Sequence, residues 1–196
     1  MSKRKNNYWI QTVSGKAFDF QNPTPDMVDI NDIAMGLSKQ CRFNGQTNRF
    51  YSVAEHCVLV SRLSIFKTPY EQLAALLHDA AEAYIGDVAD PVKQNLPWFK
   101  ETEKKILAVV WKSLGFEPLS DELKDKIRSG DFQIFLNEKN QLMAEKDAQD
   151  WELPDAEYEE VKIEGLDHCQ AHLRFMIRFH DLMHEIKGIY DYQLKH

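Results

Sequence analysis

The stretch from Glu71 to Asp87, EQLAALLHDAAEAYIGD, limits what this chain can fold into more than any other. Leu73, Ala74, Leu76, Leu77, Ala80, Ala81 and Ala83 make it apolar almost all round. A helix of that kind belongs at the centre of its domain, not on the surface. His78, Asp79 and Glu82 are then polar groups on a buried helix, ended by Gly86. A buried ionised carboxylate or unpaired imidazole costs several kcal/mol unless it is paired or metal-bound.

The flanking segments also read as helices. Asp26 or Asp29 caps one running through Lys39. Ser52 opens another as N-cap, with Glu55 three residues on as a capping box, and places Val53, His56, Val60 and Leu63 on one inward stripe. Pro69 begins the central helix, and Asp90-Pro91 starts a short segment ending near Asn95. A helix is expected from Pro97 to Leu114, a short one from Ser120 to Arg128, a break at Ser129-Gly130, and a new helix from Asp131 to about Lys146. The polar stretch DWELPDAEYEE then forms a loop, and a last helix runs from about Leu166 to Tyr190. Only YWIQTVSGKAFDF, Tyr8 to Phe20, alternates like strands about a Ser14-Gly15 turn and predicts a β-hairpin. The 196 residues suit one domain, residues 1–196, of all-α class with that short N-terminal hairpin.

Composition excludes some classes of function. A net charge of −7 disfavours long nucleic acid as a partner, though a small phosphate ligand needs only a few local cations. Cys41, Cys57 and Cys169 are odd in number and form no CxxC, as expected of reduced thiols in a cytoplasmic protein. The basic start, MSKRKNNYW, is followed by no apolar run of signal-peptide type, and no stretch is long and apolar enough for a membrane span.

Polar residues on apolar faces define the candidate site. His56, His78, Asp79 and Asp131, from three helices, form a plausible mononuclear metal set of imidazole nitrogens and carboxylate oxygens. Glu82, one turn after His78, would stand beside the metal, where it can handle a proton. A metal there withdraws charge from a phosphoryl oxygen and lowers the pKa of a bound water. Arg42, Lys93 and Arg49 are cations in flanking loops, and Phe43 and Tyr51 are aromatics able to stack on a base. Each residue also has an ordinary reading: a hydrogen-bonded core histidine, a capping Asp131, a solvated Glu82. A competing pattern lies on the last helix, where His168 and His172, and His180 and His184, are spaced four apart. Their alternation with Arg174, Arg178 and Lys187 marks a partly solvated face instead.

RFNGQTNRFYSVAEH, ALLHDAAEAYIGD with DPVK, and DFQIFLNEKNQLM together resemble the HD-domain phosphohydrolases, within them the small bacterial 5′-deoxynucleotidases and phage deoxynucleotide triphosphohydrolases. The resemblance spans roughly Ala17 to Ala144. It implies an HD-type helical bundle around a divalent metal (Co²⁺, Mn²⁺, Zn²⁺ or Fe²⁺), a homo-oligomer, and a small nucleotide substrate. By motif, His56, His78, Asp79 and Asp131 would be the metal ligands; Asp125 and Asp147 are the alternatives for the last, and Asp131 is preferred because it opens the helix whose LNEKNQLM resembles the family's corresponding segment. Glu82 would be the catalytic acid and Asp87 the second carboxylate. Arg42 and Lys93 would lie near the phosphates. Phe43 would replace an aromatic, often tryptophan, that packs against the sugar. The expected activity is hydrolysis of the 5′-phosphate ester of deoxynucleoside monophosphates, triphosphates such as dATP, or both. The other readings are a cyclic or signalling nucleotide hydrolase and a non-catalytic nucleotide- or metal-binding module.

Overall fold

In the computed structural model of the chain, which describes residues 8–145, 151–154 and 156–193, the fold is mostly helical with one two-stranded sheet. The hairpin forms as expected. Strands β1 (Trp9–Gln11) and β2 (Ala17–Asp19) pair antiparallel with Ile10 opposite Phe18. The turn is tied down by Asp32, which accepts from the Ser14 N–H at 2.7 Å and its hydroxyl at 2.6 Å. Phe18, fully buried, stacks on Tyr84. The hairpin is thereby fastened to the segment that carries Glu82.

Helix α1 (Ile30–Lys39) is capped by Asp29 and α2 (Val53–Val60) by Ser52. Helix α3 (Pro69–Leu76) starts with Pro69 and a reciprocal capping box between Thr68 and Glu71. At α2 only half of the expected box exists. Ser52 accepts from the Glu55 N–H, but the Glu55 carboxylate turns away to accept the N–H groups of Glu164, Gly165 and Leu166. Then follow α4 (Glu82–Ile85), α5 (Asp90–Lys93), α6 (Pro97–Ser113), α7 (Asp121–Leu142) and α8 (His168–Gln193). Helix α8 packs across α1, α2 and α3, and buries Ala171, Phe175, Phe179, Leu182 and Ile186. One apolar cluster runs from Phe18 through α1, α2, α3, α6 and α7 to Ile186.

Three expectations from the sequence need correction. The central helix is not continuous: α3 ends at Leu76, residues 77–81 form turns, and the chain re-enters a helix at Glu82. Hydrogen bonds there span three residues, as from Ala80 to Leu77 and from Glu82 to Asp79. Conversely, no break occurs at Ser129-Gly130, because α7 runs straight through both. Gly130 is there for space, since a Cβ on it would lie 2.8 Å from the Phe66 ring. Asp131 is therefore an interior helix residue, not an N-cap. Finally, the loop before α2 contains a short 3-10 turn, Arg42–Gly45, in which Phe43 and Asn44 take φ of 53° and 52°. Lys146 and Asp147 and the basic N-terminal residues lie outside the described residues, as do Asp150 and Asp155 of the expected loop.

The strap leading into α8 is held to α7 by side-chain amides. Asn137 donates to the Glu159 carbonyl and accepts from the Val161 N–H, each at 2.9 Å. Gln141 likewise donates to the Val161 carbonyl at 2.7 Å and accepts from the Ile163 N–H at 3.0 Å. Gln133 accepts from the Glu159 N–H. These amides, four residues apart on the helix, satisfy strap backbone groups two residues apart, as a neighbouring strand would.

Candidate functional site

The break after α3 creates the site. On a continuous helix, adjacent residues do not face each other. In the turn, His78 and Asp79 point the same way, with His78 Nε2 3.2 Å from Asp79 Oδ2. From α2, fully buried His56 brings its Nε2 to 3.3 Å from His78 Nε2 and 3.8 Å from Asp79 Oδ2. From α7, Asp131 Oδ1 stands 3.0 Å from His56 Nε2 and 4.0 Å from His78 Nε2. His56 from α2 and His78 and Asp79 from the turn after α3 thus lie close enough together to hold one ion, with Asp131 of α7 approaching from the side of His56. Asp131 is the most exposed of them and marks the open side of the site.

The proton positions on the imidazoles are dictated by their far sides. His56 Nδ1 faces a Glu138 carboxylate oxygen at 2.6 Å, and His78 Nδ1 faces the Ala75 carbonyl at 2.8 Å. Both partners only accept, so both Nδ1 atoms donate, and in neutral rings the two Nε2 lone pairs would face each other and two carboxylates. Lone pairs converging in this way call for a cation. Neutral imidazoles oriented by a carboxylate and a backbone carbonyl, together with two carboxylate oxygens, are a donor set suited to a divalent transition metal. These residues fit such an ion.

The electrostatics agree. Burial and Arg42 push the His56 pKa down, but Glu138 and Asp131 outweigh them and raise it. Burial lowers His78, and Asp79 more than reverses that. Burial alone would raise Asp79, yet His78, His56 and Arg42 hold it far below the usual carboxylate range. Asp131 is lowered against its burial by His56 and His78. The protein supplies positive charge here through protonated rings unless a cation takes that place. Cys57 lies beside His78, and burial pushes its thiol up to about 11, so it stays neutral. The three cysteines are free.

Glu82 and Asp87 sit next to the cluster. Glu82 is buried, with Oε1 accepting from Lys93 at 2.8 Å and Oε2 having no hydrogen-bond partner among the described residues. Burial, Asp79 and Asp87 raise its pKa well above the ordinary value. Burial also raises Asp87, with Asp79 adding to the effect and Arg42 opposing it. Gln40 spans the two acids, donating to the Glu82 carbonyl at 2.7 Å and accepting from the Asp87 N–H at 3.0 Å.

The expected phosphate cations are both engaged. Lys93 bridges Glu82 and Glu103, whose charges raise it despite its burial. Arg42 pairs with Glu138, Nη2 donating at 3.2 Å and Nε standing 3.1 Å away without making a hydrogen bond, while Nη1 lies 3.6 Å from Asp79. Phe43 packs beneath the Arg42 guanidinium and beside Phe135, which in turn contacts Phe132 and Trp151. Tyr51 is fully buried and so is not a stacking surface, and Arg49 is spent on the Ile163 carbonyl. On α8, His172 bonds to Asn31, while His180 and His184 are exposed. His168 joins Asp167 and Cys169 in an exposed group.

Sequence reasoning missed Glu138 and Gln40, and read Glu55 as a capping-box partner rather than as the anchor of the strap. Glu138 had a signal: it lies seven residues after Asp131, two turns along the same face of α7. Gln40 had none, since its role depends on α1 ending beside α4.

The fold and site define a helical protein with a two-histidine, two-carboxylate cluster at its centre. No family model matches the chain. It is 36% identical over 176 residues to the uncharacterized protein YfdR of Escherichia coli (strain K12), covering 89% of this chain and 95% of that protein. It is 38% identical over 131 residues to an uncharacterized protein of Rhodobacter capsulatus, covering 63% of this chain and 67% of that one. The chain belongs to the YfdR family. No helix among the described residues is long and apolar enough to cross a membrane.

Proposed function

We propose that this chain is an HD-type, metal-dependent phosphohydrolase that cleaves the 5′-phosphate ester of deoxynucleotides, as monophosphates, triphosphates or both. The observation that supports it most is the meeting of two Nδ1-protonated imidazoles, Asp79 and Asp131, with Glu82 beside them. His56, His78, Asp79 and Asp131 would hold a divalent ion (Co²⁺, Mn²⁺, Zn²⁺ or Fe²⁺). When bound, the ion would draw charge from a phosphoryl oxygen and acidify water. The chain's own residues do the rest. Glu82, raised by burial and Asp79, would carry a proton on its unpartnered Oε2 to the leaving 5′ oxygen. Lys93 orients that carboxyl through the other oxygen. Asp87, its backbone N–H fixed by Gln40, would add to the burial and the Asp79 charge that raise Glu82. Phe43 offers the ring nearest Arg42 for the sugar.

The test is to incubate the purified protein with each dNMP and dNTP plus Mn²⁺ or Co²⁺ and resolve the products. Release of phosphate or triphosphate, abolished by EDTA, is expected. No release from any nucleotide with any of the four metals would overturn the proposal.

A further inference from the structure

We infer that Glu138 is the positioning residue of the metal centre, and that Arg42 serves as its counter-ion rather than as a free phosphate grip. This rests on the metal reading above and says what keeps the site in shape. Among the described residues, Glu138 is the side chain that fixes a ligand imidazole from behind. The other imidazole, His78, is held by the Ala75 carbonyl, which no substitution can remove. A carboxylate only accepts, so the 2.6 Å contact obliges His56 Nδ1 to carry the proton. In the neutral ring the lone pair is then on Nε2, which stands 3.0 Å from Asp131 and 3.3 Å from His78; without a metal, Nε2 can instead carry a second proton toward Asp131. A ring rotated about its χ2 axis would lose that contact and turn a carbon toward the ligand cluster.

The Glu138 side chain is fully buried, and a carboxylate in that position must be paired. Arg42 supplies two nitrogens to it, one to each oxygen. The remaining terminal nitrogen, Nη1, faces Asp79, a proposed ligand. The Nε–Nη2 edge of the guanidinium, one of the two edges that could grip a phosphate bidentately, is thus turned to Glu138. The turn that delivers it holds Phe43 and Asn44 in the left-handed region, at φ of 53° and 52°. Such strain is unfavourable for non-glycine residues and persists where surrounding structure demands it. Asp131 and Glu138 lie on one face of α7, so a single helix carries both a ligand and the support of a ligand from another helix.

The experiment uses metal-free full-length protein: wild type, Glu138→Gln, Glu138→Ala, Arg42→Lys and Arg42→Ala. Calorimetric titration with Mn²⁺ and the visible absorption of the Co²⁺ form are read alongside thermal melts. Glu138→Gln keeps the volume and an acceptor for His56 but turns an amide N–H₂ toward Arg42, so it serves even if Glu138→Ala does not fold. Metal affinity is expected to fall about 10- to 100-fold in Glu138→Gln, with a changed Co²⁺ spectrum. Arg42→Lys, which cannot bridge both oxygens, is expected to lose metal affinity as well. Were Arg42 a phosphate grip, it would raise KM and leave metal affinity alone. Folded Glu138→Gln with wild-type metal affinity and spectrum overturns the inference while the metal reading stands. Wild type that binds no divalent ion overturns both.

Discussion

Glu55 offers a sharp test of how this fold is held, because its carboxylate crosses from α2 to the strap before α8. The side chain is buried and accepts from Glu164 at 2.9 Å, Gly165 at 3.0 Å and Leu166 at 2.8 Å. Hydrogen bonds to a charged group contribute roughly 1.5–3 kcal/mol each when water cannot replace them. The Leu166 bond is buried, while the other two are partly buried, so water recovers much of those two in a truncated variant. Glu55→Ala is therefore expected to cost about 3–4 kcal/mol, the buried bond contributing about 2 and the others about 0.5–1 each. Glu55→Gln should cost about 2 kcal/mol, because one amide face opposes an N–H with an N–H. A chain of this length loses roughly 2–4 °C per kcal/mol, so Glu55→Ala melts about 10 °C lower. Urea unfolding of the metal-free protein, followed by circular dichroism and tryptophan fluorescence, measures this directly. If Glu55 served only its α2 cap, the loss would be about 1 kcal/mol. A Glu55→Ala loss of about 1 kcal/mol or less would refute the assignment of the carboxylate to the strap.

Other outcomes follow from the same geometry. Glu82→Gln should lower kcat by about 10²–10⁴ and leave Mn²⁺ affinity within about threefold, and an equal loss in both would make Glu82 a ligand instead. In wild type, activity should fall as pH rises through the elevated Glu82 value, a limb that Glu82→Gln lacks. Stability of the metal-free protein has a signed pH dependence. Asp79, Asp131 and Glu138 are depressed in the folded chain, so their contribution is full above their unfolded values near pH 4 and is lost as pH falls through the folded ones. His56 and His78 are raised, so theirs is full below about 6.5 and is lost as pH rises through the folded values. Glu82, also raised, disfavours the folded state in the alkaline direction too. In EDTA the Tm should peak between about pH 5 and 6.5, and saturating Mn²⁺ should lift the alkaline side, where the rings are deprotonated. Scanning calorimetry showing a Tm that still climbs toward pH 8 in EDTA contradicts this. Gly130→Ala gains about 1 kcal/mol of helix propensity against an overpacking cost of about 1–3, for a net loss near 1 kcal/mol. Gly188→Ala, whose Cβ meets nothing within 4 Å, should gain about 0.5–1 kcal/mol by the same urea assay.

The legible parts of this chain are those written in local chemistry. Asp29, Ser52 and Pro69 open helices because their side chains or rings act within one turn. Gly86 ends one because its φ of 87° suits few other residues. Histidines and acids on apolar stripes pointed to the cluster. What stayed hidden was set by contacts distant in sequence. The break at Leu77 carries no glycine or proline, and the low helix propensity of His78 and Asp79 is outweighed locally by the leucines and alanines around them. Gly130 looked like a stop because Phe66, far away in sequence, supplies the reason for a glycine. Glu138 reads as one more charge in a polar stretch until α2 and α7 are packed together. Arg42 and Lys93 were legible as cations near the site, but not as cations already committed to carboxylates.

The amides that join α7 to the strap work as a vernier. Four helical residues advance about 6.0 Å, while two residues of extended chain advance about 6.6–6.8 Å. Each step from Gln133 to Asn137 to Gln141 therefore accumulates a mismatch of about 0.6–0.8 Å, which flexible side chains absorb for two steps and not for many more. The scale has a short reading range. It also has a parity, since inserting one residue between Glu159 and Ile163 would turn the following N–H groups away from their amides. The strap is thus indexed against the helix that presents Asp131 and Glu138, and the length of chain between Glu159 and Leu166 sets where Glu55 meets its three N–H groups.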